Sequence, residues 1–560
     1  MNVFNGESKA TVGCSTESNQ EVKERHHSGD PSLDTPLPSH ASSPRRAAPI
    51  PTSNHVLEDI LARRTVRRVL GWLAALNRGG ASRLERIFET YDRSNLPLLD
   101  RCKFVLPHLA ISLWLKRARL DKETLKAKLF HHHPTVRALA LTARSIARYG
   151  LTAPQRFVAP LLVVWNITRA CNLECQHCYE NATRKPQGDE LTLGERIGVI
   201  DELAANGVPF LAIAGGEPLV CKDVWPVMEY AHKRGIHLTV ATNGTMITPE
   251  VAARLIASGV KYVEVSIDSI HPEEHDPFRG RQGSWAKSIQ GIRNLVEAGM
   301  RTGLAMCFTR ATYRGVDEAV HFAIEPCCKT FSHFNFIPTG RGKGVADVDL
   351  TPQQLEWLIQ RLAWHLQEGK INVISTAPQF GRACIIYGSP EGTFAIGHAG
   401  RGTGKRTQVL ARYIGGCGAG RCYCAIQPNG DVTPCVYISS LVLGNLRIER
   451  LSKIWDCELF RVLSDRTDRG GHCRSCNFRA YCGGCRARAL AYTDDIKAGD
   501  PGCCYNQSDP ETIEHDSELC GRQSVEQLPV HQYLAPDSPP SRANILQKAI
   551  AVGETEVPRS

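Results

Sequence analysis

Hydrophobic and polar positions change rhythm twice along this chain. Up to about residue 52 they show no period; Ser, Pro, Glu and His dominate, and this composition predicts a disordered segment. From Leu57 apolar residues recur at helical spacing. Arg63, Arg64, Arg67 and Arg68 stand among Leu61, Val66, Val69, Leu70 and Leu73, predicting a basic amphipathic helix. A second such region spans 104–130, where FVLPHLAISLWL precedes KRARLDKETLKAK. That apolar run of 12 residues is too short to cross a bilayer and is broken by Pro107 and His108. It predicts bundle packing, with an interfacial contact to lipid as the alternative. His131, His132 and His133 sit side by side next to Pro134, so their side chains diverge and make a poor metal site.

From 161 the rhythm becomes short β-rich runs separated by helical stretches. LLVVWNIT (161–168), FLAIA (210–214), IHLTVAT (236–242), YVEVSID (262–268), GLAMCFT (303–309) and FSHFNFI (331–337) predict six successive parallel strands. Alternation with helical segments such as 192–206 and 247–259 predicts an α/β fold, a partial (β/α)6 TIM-like barrel. An N-terminal helical region precedes it and a C-terminal cysteine-rich domain follows. The expected divisions are a disordered 1–52, a basic helical domain 53–157, the partial barrel 158–345, a linker or helical bridge 346–410, a cysteine-rich domain 411–510 and a tail 511–560.

Composition sharpens this. A chain of 560 residues, 42% hydrophobic, can bury a substantial core, so its 22 cysteines are not needed as disulfide staples. With no apolar leader at the start, they point to metal ligation in a reducing cytoplasm. The net charge of +10 is local. Residues 51–150 hold 19 Lys/Arg against 8 Asp/Glu, a net of +11 that leaves about −1 for the rest. The basic region could face an anionic lipid surface or an acidic partner. Nucleic-acid binding is disfavoured, because it leaves the cysteine pattern without a purpose.

Cys171, Cys175 and Cys178 follow the first strand in TRACNLECQHCYEN. Three thiols spaced C-x3-C-x2-C can hold three irons of a [4Fe–4S] cube and leave the fourth open to a small molecule, whereas four cysteines close a cluster. Loops at the C-terminal ends of barrel strands share one mouth. The second strand ends Gly215-Gly216-Glu217-Pro218, where glycines permit close backbone approach and Glu217 can accept from an ammonium group. The third ends at Asn243 and Gly244; the fourth offers Ser266 and Asp268. Downstream, Asn429-Gly430 taken as a two-residue hairpin turn sets Cys424 opposite Cys435. Cys422 then shares a face with Cys424. C473-x2-C476-x5-C482-x2-C485 follows, then Cys503 and Cys504. A zinc ribbon would explain 473–485 alone. RGTGKR (401–406) lacks the first Gly and the Ser/Thr of a phosphate loop and reads as a mobile basic loop; IPTGRGKG (337–344) is a second candidate frame for the pocket.

In these motifs the chain resembles the radical S-adenosylmethionine enzymes over about residues 160–345, and the SPASM extension of that group to about 504. The resemblance implies S-adenosyl-L-methionine chelating the open iron of the cluster on Cys171, Cys175 and Cys178. Glu217 would hold its amine, Ser266 and Asp268 its carboxylate or ribose, and His177 would lie near adenine. One electron then gives methionine and a 5′-deoxyadenosyl radical that abstracts hydrogen. The resemblance also implies two auxiliary [4Fe–4S] clusters. Cys417, Cys424, Cys435 and Cys485 would hold the first; Cys473, Cys476, Cys482 and Cys503 the second. Cys422 and Cys504 remain alternatives, and the second C-x2-C is one residue shorter than the commoner form. Sulfatase-maturing members carry an Asp after the hairpin cysteine; here it is Val436, which disfavours formylglycine formation.

The expected activity is oxidation or cross-linking of a peptide or protein substrate, fed by a flavodoxin- or ferredoxin-type reductant. The alternative is a lipid, isoprenoid or tetrapyrrole substrate handled by a cytoplasmic enzyme in peripheral contact with a membrane.

Overall fold

The computed structural model describes residues 55–77, 79–91, 133–389, 392–395 and 401–506. The expectations for 1–52, for 104–130, for the histidine run at 131 and 132 and for the tail from 511 lie outside these residues. Among the described residues no helix is long and apolar enough to cross a membrane.

Seven parallel strands run β1 (Leu162–Asn166), β2 (Phe210–Ala214), β3 (His237–Thr242), β4 (Val260–Ser266), β5 (Thr302–Cys307), β6 (Thr330–Phe334) and β7 (Asn372–Ser375). The six predicted strands are all present, within two or three residues at each end. β7 adds a seventh inside the stretch expected as a linker. A small antiparallel pair, β8 (Thr393–Ala395) and β9 (Arg401–Thr403), follows, and the helix Gly404–Ile414 continues from it. RGTGKR is therefore strand and helix start rather than a loop. The cysteine-rich region contributes β10 (Tyr423–Ile426), β11 (Asp431–Thr433) and β12 (Gly444–Asn445).

These last strands extend the barrel sheet: β10 pairs in parallel with β1, giving the order β12-β11-β10-β1-β2-β3-β4-β5-β6-β7. The sheet thus crosses the division expected at 410/411. Alternation along the strands sets the two faces. Val163, Trp165, Leu211, Ile213, Leu238 and Val240 are fully buried under the helices, whereas Leu162, Val164, Phe210 and Ala212 line an interior cavity. Helices Leu193–Ala205 and Pro352–Glu368 start with capping boxes, Thr192 with Glu195 and Thr351 with Gln354, which fix where each chain segment turns back over the sheet.

The N-terminal helices pack on one another and, through helix His133–Tyr149, on the barrel, where Arg137 donates to Arg234 O (3.1 Å) and Arg144 to Asn206 O (3.1 Å). Arg67 donates to the carbonyls of Ala147 (2.9 Å) and Arg148 (3.0 Å), near the end of helix His133–Tyr149, where a cation suits the helix dipole. Arg137 pairs with buried Glu85 at 3.1 Å. Part of the basic charge is therefore spent internally.

Candidate functional site

The loop after β1 folds back on itself: Cys171 N–H donates to Thr183 O (2.8 Å) and Thr183 N–H to Arg169 O (2.9 Å). The β2 loop lies on top, with Gly216 N–H on Thr168 O (2.7 Å) and Glu217 N–H on Ala170 O (2.8 Å). A Cβ at Gly216 would fall 2.3 Å from Ala170 O, so only glycine allows this approach. Gly340, at φ 57°, meets the loop from the other side; a Cβ there would sit 2.4 Å from Cys178 O. Next to it Arg341 donates to Cys175 O (3.0 Å) and Ala182 O (2.5 Å). Backbone hydrogen bonds and Arg341 thus brace the loop from both sides.

Cys171, Cys175 and Cys178 all line one cavity. Burial first, then nearby Glu217, Cys175 and Cys178, push the Cys171 thiol up to about 12. Three thiolates this close to one another need a cationic partner, and a cluster of irons supplies one. Arg279 reaches Cys175 Sγ at 3.8 Å while pairing with Asp268 at 2.6 Å. His177 stacks on Phe278 with ring centroids 4.3 Å apart, and its Nε2 lies 3.4 Å from Asp268 Oδ2. Burial holds its imidazole neutral, down to about 4.

His177, Gly215, Gly216, Asn243, Ser266 and Asp268 line the cavity with the cysteines; Glu217 and Pro218 do not. The Glu217 carboxylate already accepts from Thr242 Oγ1 (2.7 Å), Asn243 N–H (2.8 Å) and Leu219 N–H (3.2 Å). The carboxylate expected to accept an amine thus also ties the β2 loop to the end of β3. Asp268 is likewise engaged by Arg279 and His177, and its Oδ1 accepts from Cys307 N–H (3.2 Å).

The hairpin register differs from the expected one. Gln427 N–H donates to Asp431 O (2.8 Å), and Ala425 faces Thr433. Pro428, Asn429 and Gly430 therefore form a three-residue loop with Gly430 at φ 90°, not a two-residue turn. One residue of slip turns each side chain to the other face. Cys424 consequently lies opposite Val163 in the core, fully buried, and does not face Cys435. Cys422, just before β10, lines the cavity with Cys417, Cys435 and Cys485. Tyr423 takes the place opposite Cys435, and its hydroxyl accepts from Val436 N–H (3.1 Å).

Cys473, Cys476, Cys482 and Cys503 surround a second, small cavity together with Arg382. Cys504 lies behind, with Sγ 3.8 Å from Glu356 Oε2. Among the described residues no three Cys, His, Asp or Glu side chains close tightly enough for a single metal ion. The two thiol groups touch through Cys417 N–H on Cys482 O (2.9 Å). Buried arginines surround them. Burial, then repulsion from Arg421, pulls Arg466 down to about 9; burial, then Arg486, pulls Arg469 down to about 10.

Arg279, in the helix Pro272–Arg279, carried no sequence signal, whereas Arg341, in the turn after Gly340, lies in the IPTGRGKG segment singled out as a frame for the pocket. Tyr179, Tyr423 and Tyr437 form an aromatic wall between the first cysteine triplet and Cys435, with Tyr179 and Tyr437 edge to face at 5.1 Å. The Tyr next to Cys178 was the one visible hint. The cavity they bound measures about 1370 Å³ and is continuous between the two cysteine regions.

Comparison with known proteins agrees with this geometry. The Radical SAM superfamily profile matches residues 165–323, and the SPASM iron–sulfur cluster-binding domain profile matches 417–477. The AdoMet-dependent heme synthase of Methanosarcina barkeri is 34% identical over 349 residues, spanning 62% of this chain and 97% of that protein. Mycofactocin maturase MftC of Mycobacterium tuberculosis is 31% identical over 359 residues, spanning 63% and 85%. The crystal structure of Streptococcus suis SuiB bound to precursor peptide SuiA shares the fold, with a TM-score of 0.54 at 18% identity over 77% of this chain and 95% of that one. S-adenosylmethionine and [4Fe–4S] clusters are the cofactors these domains imply, and the chain belongs to the radical SAM superfamily as an enzyme carrying the SPASM extension.

Proposed function

We propose that this enzyme oxidises a bulky, flat, carboxylated substrate of the tetrapyrrole class inside the cavity between the cysteine triplet and the auxiliary thiols. The observation that carries this reading is the match to the relative named AdoMet-dependent heme synthase, 34% identical along 97% of its length. The cavity of about 1370 Å³ that tyrosine rings wall between the two thiol regions would hold the substrate together with S-adenosylmethionine and the clusters.

In this reading Cys171, Cys175 and Cys178 hold the cluster that S-adenosylmethionine chelates, and bound cofactor supplies a carbon radical able to remove hydrogen from an unactivated C–H bond. The chain's own residues position and shield. Gly215 and Gly216, beside Glu217, would frame the cofactor amine, Ser266 and Asn243 would offer polar atoms to its carboxylate or ribose, and the His177–Phe278 stack would lie near adenine. Arg279 and Arg341 fix the cysteine loop. Cys417, Cys422, Cys435 and Cys485 hold one auxiliary cluster, and Cys473, Cys476, Cys482 and Cys503 the other. A small redox protein of the flavodoxin or ferredoxin type delivers electrons.

A second reading, oxidation or cross-linking of a peptide, is favoured by the maturase relative at 31% identity. Anaerobic incubation of reconstituted enzyme with reductant, deuterated substrate and S-adenosylmethionine separates the two. Deuterium in 5′-deoxyadenosine is expected with a carboxylated iron porphyrin; deuterium only with a peptide moves the assignment to the second reading, and no 5′-deoxyadenosine from cluster-loaded protein overturns both.

A further inference from the structure

Six arginines are buried in or against the auxiliary module, and their partners divide them. Arg382 forms an ion pair with Glu356, and Arg488 pairs with Asp349 at 2.8 Å. Arg421, Arg466, Arg469 and Arg486 have no carboxylate within 4 Å among the described residues; their side chains donate to backbone carbonyls. Arg466 is the most singular. It is 4% exposed and donates to Ala480 O (2.6 Å), Gly415 O (2.8 Å), Arg479 O (2.9 Å) and Cys417 O (3.1 Å). A Cβ at Gly483, the neighbour of Cys482, would fall 2.5 Å from its Nε. The guanidinium thus stands between Cys417 of one thiol group and Cys482 of the other. A buried cation without an anion costs several kcal/mol. Carbonyl dipoles orient the guanidinium but carry no net charge to balance it.

We propose that Arg466 is the shared counter-cation of the two auxiliary clusters and sets their reduction potentials. This rests on the two-cluster reading above. Four thiolates around a 2+ cube leave two negative charges, and each reduction adds one more. A fixed cation beside both cubes stabilises the reduced forms and raises both potentials. The clusters are then suited to take an electron from a substrate radical and pass it outward. Arg421 donates to Gly415 O (3.0 Å) beside the first thiol group, so its effect falls on that cluster.

The test is a redox titration followed by electron paramagnetic resonance on the full chain after anaerobic reconstitution, with iron and sulfide counted first. Arg466→Met is expected to lower both auxiliary potentials by at least a tenfold change in the one-electron equilibrium, about 59 mV, and to leave the S-adenosylmethionine-binding cluster unchanged. Arg466→Lys, which keeps the charge, is expected to restore most of the shift. Should Arg466→Met load poorly, Arg421→Met decides, with a smaller lowering confined to one auxiliary cluster. Loaded variants with wild-type potentials, or Lys and Met variants equally lowered, overturn the proposal. A wild-type iron count too low for two auxiliary clusters sinks the cluster reading instead, which keeps the two failures apart.

Discussion

The two cysteine regions of this enzyme treat buried charge in opposite ways. At the triplet, Arg279, the cation that reaches a thiol, approaches Cys175 Sγ at 3.8 Å with its charge matched by Asp268 at 2.6 Å, while Arg341 donates to the Cys175 and Ala182 carbonyls behind the loop. In the auxiliary module Arg466 stands between two thiol groups with carbonyls as its only hydrogen-bond partners among the described residues. A cluster that must push an electron onto a sulfonium gains from a neighbourhood whose cation is cancelled, because an uncancelled one would make it a weaker reductant. A cluster that must accept an electron gains from the reverse.

The sharpest break in that comparison comes from removing one thiol on each side. Cys175→Ala is expected to abolish 5′-deoxyadenosine formation, measured by chromatography of anaerobic reactions. Cys476→Ala should leave that cleavage within about tenfold of wild type while eliminating substrate oxidation. Equal loss in both variants would mean the auxiliary module is needed for cofactor cleavage itself.

Asp268→Asn is the next largest perturbation. It leaves the Arg279 charge uncancelled beside Cys175, imitating the auxiliary arrangement at the wrong centre. Breaking a buried pair costs about 3–5 kcal/mol, and the potential of the first cluster should rise. S-adenosylmethionine cleavage should slow by roughly tenfold or more, since about 1.4 kcal/mol on a barrier is a factor of ten. An unchanged potential would show that the pair serves only to hold the loop. Gly216→Ala tests that holding function directly. Its Cβ would collide with Ala170 O, at an overpacking cost of about 1–3 kcal/mol, and iron retained by the triplet should fall. Gly344→Ala, with nothing within 4 Å of the added carbon, is the matched control and should retain wild-type iron.

How much of this was legible in the chain differs between the same two regions. The barrel strands declared themselves because each buries one face under helices and turns the other to a cavity, so hydrophobic runs such as FLAIA map onto β2 without shift. The triplet and the glycine pair were legible because local spacing alone places them. The auxiliary ligands were legible as a set but not in their partition. Asn429-Gly430 suggests a two-residue turn, yet Pro428 joins the loop, and the single-residue change hides Cys424 and leaves Cys422 at the cavity. Glu217 was found as a site residue, but its hold on Thr242 and the backbone of Asn243 was not, because those partners come from the next strand. The arginine partners were illegible for the same reason. Which cation meets which carboxylate depends on loops distant in sequence, and no local period encodes it.

Acid gives the smallest of these effects and separates the regions in another way. His333, on β6, is fully enclosed, with Nδ1 2.9 Å from Ser375 Oγ, and burial alone holds it down to about 3. Its ordinary value is near 6.5, so between 6.5 and about 3 the unfolded chain binds a proton that the folded chain refuses. The sign follows: stability of the barrel falls as pH drops through that window, by at most about 1.4 kcal/mol per unit from this group, and the loss stops below it. Among the described residues the auxiliary module holds His472, which is only partly buried and so contributes a smaller slope. Hydrogen exchange of β6 amides should show opening become easier from pH 6.5 to 5, and His333→Phe should reduce that dependence by the His333 share, His177 and His275, also held down to about 4, keeping theirs, while leaving the β10–β11 hairpin amides as they were. If both segments keep the same slope in the variant, the buried imidazole is not what makes the barrel the acid-sensitive half.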